Sequence, residues 1–259
     1  MPADPDALPS VEVDQVSVSF GGLQALKDVS FAVSRGEVVG LIGPNGAGKT
    51  TVFNVICGFV RPTSGGVRFP AAHRGSLRPS QLARAGISRT LQGIGLFPHL
   101  TLLENVMAGG QTRPNGGFLM SLLALPASTR SERTLRSDAQ AMLERFGVAR
   151  YAQWYPSEVP YGIGKKVAVA RALLCEPSLL LLDEPASGLD DGELADFASM
   201  IVELRSDMGV LLVEHDMGFV MPLVDRLVVL DFGQVIASGL PAEIQNDPAV
   251  IEAYLGVQT

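Results

Sequence analysis

Gly43-Pro44-Asn45-Gly46-Ala47-Gly48-Lys49-Thr50 follows the pattern GxxxxGK[ST], a glycine-rich turn between a strand and a helix that cradles phosphate groups. The run before it, Glu37-Val38-Val39-Gly40-Leu41-Ile42, is apolar enough for a buried strand. The run after it, Thr51-Val52-Phe53-Asn54-Val55-Ile56, can open a helix. Gly43, Gly46 and Gly48 let backbone N–H groups approach phosphate oxygens with no Cβ in the way. The new helix points the positive end of its dipole at the same anion. Lys49 is the candidate charge on the β- and γ-phosphates, and Thr50 the candidate hydroxyl for Mg²⁺. Asn45, Ala47 and Thr51 complete the segment expected at the nucleotide. A chance glycine-rich turn is the competing explanation, and the order strand, loop, helix argues against it.

The chain has 259 residues, which suits one large α/β domain or a domain with a small appendage. Hydrophobic residues make up 47% and charged residues 18%, so a sizeable core can form. No apolar run approaches the roughly 18–20 residues needed to span a bilayer. Met1 to Ser10 is rich in Pro and Asp with no basic start, so it reads as a loose tail rather than a secretory signal. A net charge of −7 argues against nucleic acid as the main partner. Cys57 and Cys175 sit in apolar sequence and are expected as buried free thiols, as suits a reducing cytoplasm. His73, His99 and His215 are scattered, without metal-ligand spacing.

Val11 to Phe20 alternates apolar and polar residues, which predicts a strand closed by a turn at Gly21-Gly22. A second strand is expected over Leu26–Val33, short strands at Val67–Phe69 and Ile87–Leu91, and a short helix at Pro79–Ala85. Leu102, Val106 and Met107 share one helix face, and Gly109 to Gly117 is a break. Leu135, Ala139, Met142, Leu143 and Phe146 mark the inner face of a helix over Thr129–Phe146. Helix resumes over Lys165–Leu174. Leu179–Leu182 is the fully apolar run of a central parallel strand. Helix at Glu193–Arg205, strand at Val210–Val213, helix at Gly218–Val224, a hairpin of Arg226–Leu230 with Gln234–Ser238, and two closing helices from Pro241 and Pro248 complete the chain.

The apolar run ends in Asp183-Glu184-Pro185. An acidic residue at the carboxyl end of a buried strand can hold Mg²⁺, directly or through water. The next carboxylate, Glu184, can polarise an attacking water. The simpler explanation is a strand-end cap, and the upstream phosphate loop favours the chemical one.

At this point the chain resembles the ATPase subunits of ATP-binding-cassette (ABC) transporters, along nearly its whole length. Gly43 to Thr50 resembles the Walker A loop and Leu179 to Asp183 the Walker B strand. Arg89-Thr90-Leu91-Gln92 resembles the Q-loop, Ser187-Gly188-Leu189-Asp190 the D-loop, and Val213-Glu214-His215-Asp216 the switch-histidine segment. The resemblance implies that Gln92 reaches Mg²⁺ or water and senses a membrane partner, that His215 contacts the γ-phosphate, and that Asp190 belongs to the nucleotide site. Phe20 sits where the family carries an aromatic that stacks on adenine, although its place in an alternating strand also suits a core residue. Arg89 to Gln92, Leu96 to Thr101, Glu104 to Ala108 and Ile251 to Gly256 are similar to the ATPases of hydrophobic (branched-chain) amino acid importers. The insert at 110–137 also fits that group, whose close relatives carry urea, amides or other small solutes.

One motif departs. The family signature, Leu-Ser-Gly-Gly-Gln in most members, aligns with Val159-Pro160-Tyr161-Gly162-Ile163. Pro160 replaces a serine whose hydroxyl, in the family, touches the γ-phosphate across a dimer. Gly162 keeps its amide, the helix expected from Gly164 keeps its dipole, and Lys165 and Lys166 are expected to add long-range attraction. The resemblance implies an α/β P-loop ABC ATPase fold with a mixed sheet. Residues 1–10 form the tail, 11–92 and 166–259 the nucleotide-binding lobe, and 93–165 a helical lobe. It also implies ATP and Mg²⁺, a second cassette, transmembrane permease subunits, an indirect solute-binding protein, and a place on the cytoplasmic face of the plasma membrane. The alternatives are a soluble, non-transport ABC ATPase and a P-loop kinase or GTPase of another class. The second leaves Gly162–Leu174 and His215 unexplained.

Overall fold

The computed structural model describes residues 9–69, 73–74, 77–90, 93–110 and 126–255. The expected N-terminal tail up to residue 8, Leu91, Gln92 and most of the insert at 110–137 lie outside them.

The expected mixed sheet is present, and a separate four-stranded antiparallel sheet that the sequence reading does not expect packs with it. β1 (Pro9–Phe20) and β2 (Leu23–Ser34) meet across the Gly21-Gly22 turn, so they pair antiparallel. With β4 (Ser64–Phe69) and β5 (His73–Arg74) they form a four-stranded sheet in the order β2-β1-β4-β5. Val11, Val13, Val16, Val18, Leu26, Val29 and Val33 are buried on its inner face. Such one-sided burial is the usual pattern for an antiparallel sheet.

The second sheet has six strands in the order β10-β9-β3-β8-β7-β6. β3 (Val38–Ile42), β6 (Ile87–Arg89), β7 (Leu179–Asp183), β8 (Gly209–Val213) and β9 (Arg226–Asp231) run parallel, and β10 (Gln234–Gly239) folds back antiparallel on β9. Both faces are covered. Leu179 and Leu181 join the core shared with the antiparallel sheet and α1 (Lys49–Ile56), whereas Leu180 and Leu182 join the core under the helices. β8 divides the same way, with Leu211 and Val213 on one side and Val210 and Leu212 on the other. A period of two with both sides apolar is why these strands read as continuous hydrophobic runs.

On the other face of the six-stranded sheet lie α2 (Leu102–Gly109), α3 (Pro126–Arg145) and α4 (Tyr161–Leu173). Leu102, Leu103 and Val106 from α2, Ala139 and Leu143 from α3, and Val167, Val169 and Leu173 from α4 share one core with Leu180 and Leu182 of β7. α4 begins four residues before the expected Lys165, so the signature residues Tyr161–Ile163 are its first turn. A lobe boundary at 165/166 falls inside that continuous helix. α5 (Asp191–Leu204), α6 (Met217–Val220), α7 (Pro241–Ile244) and α8 (Pro248–Leu255) complete the chain. The helix expected over Gly218–Val224 is only one turn long, and that over Pro79–Ala85 is two 3-10 turns, Pro79–Gln81 and Ala83–Ala85. No helix among the described residues is long and apolar enough to cross a membrane.

Asn105 is fully buried in α2 and fixes the loop before it. Its Nδ2 donates to the carbonyls of Phe97, Leu100 and Thr101 at 3.0–3.1 Å, and its Oδ1 accepts the Phe97 N–H at 2.7 Å. Asn105→Leu removes this set of four bonds to the part-buried loop backbone. The expected cost is about 2–4 kcal/mol, read as a lower urea midpoint; a midpoint within error of wild type rejects the assignment.

Candidate active site

Four parallel strands deliver their carboxyl ends to one edge of the six-stranded sheet, where ligands of open α/β sheets bind. β3 feeds the loop 43–48, β7 ends at Asp183, β8 leads into His215, and β6 ends at Arg89. The register aligns the ends: Leu41 pairs with Val213, and Asp183 pairs with Val213 from the other side. β8 therefore stands between the phosphate loop and the acidic strand end.

Gly43 must be glycine. Its φ is 148°, and a Cβ there would collide with the Leu230 carbonyl. Lys49 folds back over the loop, its Nζ donating to the carbonyls of Gly43 (2.6 Å) and Pro44 (2.8 Å). Burial lowers the Lys49 pKa from the ordinary lysine value, and the nearby Glu184 carboxylate opposes that shift. Asn45, Gly46 and Thr50 are exposed and Thr51 is half-buried. Ala47 is buried; its N–H closes on the Pro44 carbonyl and its carbonyl accepts from Gly233.

Asp183 is 9% exposed, and its Oδ2 accepts from Arg89 at 2.7 Å. Arg89 also donates to Asn54 Oδ1 at 2.9 Å and lies 5.5 Å from the Phe53 ring centre. It thus ties the acidic strand end to α1, the helix that the phosphate loop opens. Glu184 follows with φ 48°, a left-handed backbone that non-glycine residues seldom adopt. Its N–H donates to the Val213 carbonyl at 2.9 Å. A cavity of about 20 Å³ beside it, roughly room for one water, is lined by Thr90, Lys165, Asp183 and Glu184 among others.

His215 projects from the end of β8 with its side chain 65% exposed, and its Nδ1 lies 3.6 Å from Glu214 Oε2. Phe20 is 51% exposed at the end of β1, so the core explanation for it fails. Gln92 lies outside the described residues. Gly162 and Asp190 belong to a second cluster, at the start of α4 and α5. Asp190 caps α5, accepting the Glu193 N–H at 2.8 Å while Glu193 bonds back to the Asp190 N–H at 3.2 Å. A Cβ on Gly162 would collide with Glu193. Lys165 is 5% exposed and points inward, its Nζ on the carbonyls of Pro185 (2.5 Å) and Glu184 (3.3 Å). Lys166 bonds Asp196 at 3.3 Å. Both ammonium groups, from which long-range attraction at the signature is expected, are thus engaged within the chain. Desolvation sends the Lys165 ammonium to the nearest carbonyls. Cys57 is buried and Cys175 only half-buried; both are free.

Arg89, Asn54 and Glu214 were not singled out for the site by sequence reasoning. Arg89 and Glu214 each carried a signal, because they stand inside the Q-loop and switch-histidine resemblances.

Residues 26–187 match the family described as ABC transporter. The chain belongs to that family. Residues 234–258 of the cassette also match the family described as branched-chain amino acid ATP-binding cassette transporter. The cassette is 40% identical, over 96% of its length and 98% of the relative's, to the high-affinity branched-chain amino acid transport ATP-binding protein LivG of Salmonella typhimurium. It is equally similar, with the same coverage, to BraF of Pseudomonas aeruginosa. Among solved structures it is similar to the ADP conformation of MJ1267, an ATP-binding cassette of an ABC transporter, with TM-score 0.83 and 31% identity. That likeness covers 96% of the cassette and 100% of MJ1267. The cassette is an ATP-binding ATPase subunit of the P-loop ABC fold.

Proposed function

We propose that this cassette powers an importer of branched-chain or other hydrophobic amino acids, or of related small solutes. It would work from the cytoplasmic face of the plasma membrane with a second cassette, two permease subunits and, indirectly, a solute-binding protein. The observation that carries the reading is the match of the C-terminal 234–258 segment, joined to the full-length similarity to LivG and BraF. The test is co-purification from membranes followed by reconstitution. ATP hydrolysis should rise when a binding protein loaded with leucine, isoleucine or valine is added. A cassette that purifies without membrane proteins supports the non-transport alternative instead.

In this reading Lys49 neutralises charge on the β- and γ-phosphates, and the loop amides carry the rest. Glu184 holds and polarises the attacking water, and exposed His215 reaches the γ-phosphate. Phe20 stacks on adenine. Gln92, Gly162 and Asp190 complete the site as the family resemblance implies. Mg²⁺ suits the residues present. Thr50 and Asp183 offer hard oxygen donors, and Arg89 engages only Oδ2 of the carboxylate. Among the described residues no group of three or more His, Cys, Asp or Glu could hold a metal. That fits an ion carried largely by phosphates and water. When bound, Mg²⁺ supplies charge neutralisation for the phosphoryl group.

Pro160 is the residue before α4, with φ −54° and ψ 153° and no side-chain cap on the helix. Pro160→Ser is expected to act twice. A serine there can cap α4, worth about 1 kcal/mol. Its hydroxyl also restores a charged hydrogen bond to the partner's nucleotide, worth about 1.5–3 kcal/mol. The melting temperature of the isolated chain reads the first effect. ATP-dependent dimerisation in the assembled complex reads the second. Unchanged dimerisation and ATPase rate would mean that the missing hydroxyl limits nothing.

A further inference from the structure

Two buried ionisable residues beside the site have no role in the function proposed above. Lys165 is 5% exposed and Glu214 1%. They come from different elements, the second turn of α4 and the residue after β8. Both converge on the three residues Glu184–Ala186. Lys165 Nζ holds the Glu184 and Pro185 carbonyls and lies 5.4 Å from the Tyr161 ring centre. Glu214 Oε1 accepts the Ala186 N–H at 2.6 Å, while its Oε2 accepts the His215 N–H at 3.0 Å. The Glu184 N–H is held by Val213.

We infer that Lys165 and Glu214 are positioning residues that hold Glu184 in its left-handed conformation and so aim its carboxylate. The inference rests on the reading that Glu184 orients the attacking water. The physical argument is one of matched dipoles. An ammonium buried on one side of the segment takes its carbonyls, and a carboxylate buried on the other side takes its amide. Each buried charge is satisfied by backbone polar groups, which is what makes such a charge tolerable. Without the two anchors, Glu184 at φ 48° has an ordinary extended or helical backbone open to it, and its carboxylate then swings away. Glu214 also bonds the His215 amide, so the same pair fixes the backbone on which the histidine sits. Lys165 hangs from α4, so any displacement of that helix pulls directly on the Glu184 carbonyl.

The test compares wild type with Lys165→Met, Lys165→Arg, Glu214→Gln and Glu184→Gln in the full-length chain assembled with its partners. Lys165→Met keeps the apolar stem and deletes the ammonium. Its kcat should fall on the order of 10- to 100-fold, while binding of a fluorescent ATP analogue stays within about twofold, since the anchors do not touch the phosphate loop. Lys165→Arg, which keeps cationic donors, should recover most of the rate. Glu214→Gln should lower kcat with the same unchanged nucleotide affinity. On a Glu184→Gln background, Lys165→Met should add little, because both changes act through one carboxylate. A folded Lys165→Met protein with wild-type kcat overturns the inference, as does a loss of nucleotide binding parallel to the loss of rate. Where the Met variant does not fold, Glu214→Gln carries the test, since one amide oxygen cannot replace both carboxylate oxygens on Ala186 and His215, and a wild-type kcat in that folded variant overturns the inference equally. If Glu184→Gln itself turns over normally, the role of Glu184 fails instead. If Glu184→Gln loses turnover while Lys165→Met keeps the wild-type rate, only the positioning inference fails.

Discussion

Lys49→Ala removes ATP hydrolysis, with an expected loss of at least about 100-fold. The structure places this ammonium against the Gly43 and Pro44 carbonyls of the loop. Those two carbonyls hold it above the turn, where the proposed function puts the β- and γ-phosphates. Removing one preorganised donor from a charged transition state typically costs 10²–10³ in rate. Burial lowers the Lys49 pKa and the Glu184 carboxylate raises it again, and phosphate would push it further towards the charged form. The measurement is steady-state phosphate release with nucleotide binding followed in parallel. Both should drop. A turnover near wild type would disprove the assignment of residues 43–50 to the phosphates.

Glu184→Gln should separate binding from chemistry. The amide is nearly isosteric, so ATP binding persists, but it cannot take a proton. General-base catalysis typically contributes 10²–10⁴-fold, and a loss in that range is expected. The uncleaved nucleotide should then accumulate, and the cassette should persist as an ATP-bound closed dimer visible by size-exclusion chromatography. The structure supports the role through position. Glu184 stands immediately past β7, close enough to oppose the Lys49 shift, with its N–H tied to β8. Wild-type hydrolysis in the Gln variant would assign the base elsewhere.

Much of the site could be read along the chain because its parts are local. Gly43 to Thr50 carries its own conformational demand, seen in the 148° φ at Gly43. The apolar run 179–182 ends where the strand does, one residue later at Asp183. The helix expected from Glu193 begins two residues earlier, at Asp191, where Asp190 and Glu193 form a reciprocal cap. Phe20 was ambiguous because an alternating strand does not show where its burial stops; at the hairpin end it is half exposed. The separate antiparallel sheet was missed because alternation says that a strand has one covered face, not which layer covers it.

The sequence by itself determined the phosphate loop, the acidic strand end, the continuous apolar runs of the central strands buried on both faces, and the family these motifs share. Each of those rests on residues within a few positions of one another, where backbone preference and side-chain periodicity act directly. Only the tertiary structure decided what Lys165, Glu214 and Arg89 do. Lys165 reaches Glu184 and Pro185 19 and 20 residues away, Glu214 reaches Ala186 28 away, and Arg89 reaches Asp183 94 away. A lysine or glutamate reads the same in sequence whether it faces water or the interior. Which one it faces is set by how α4 crosses β7 and by the order of strands in the sheet. Burial then turns an ordinary charge into an anchor, because in the interior its partners can only be the polar groups that the fold brings beside it.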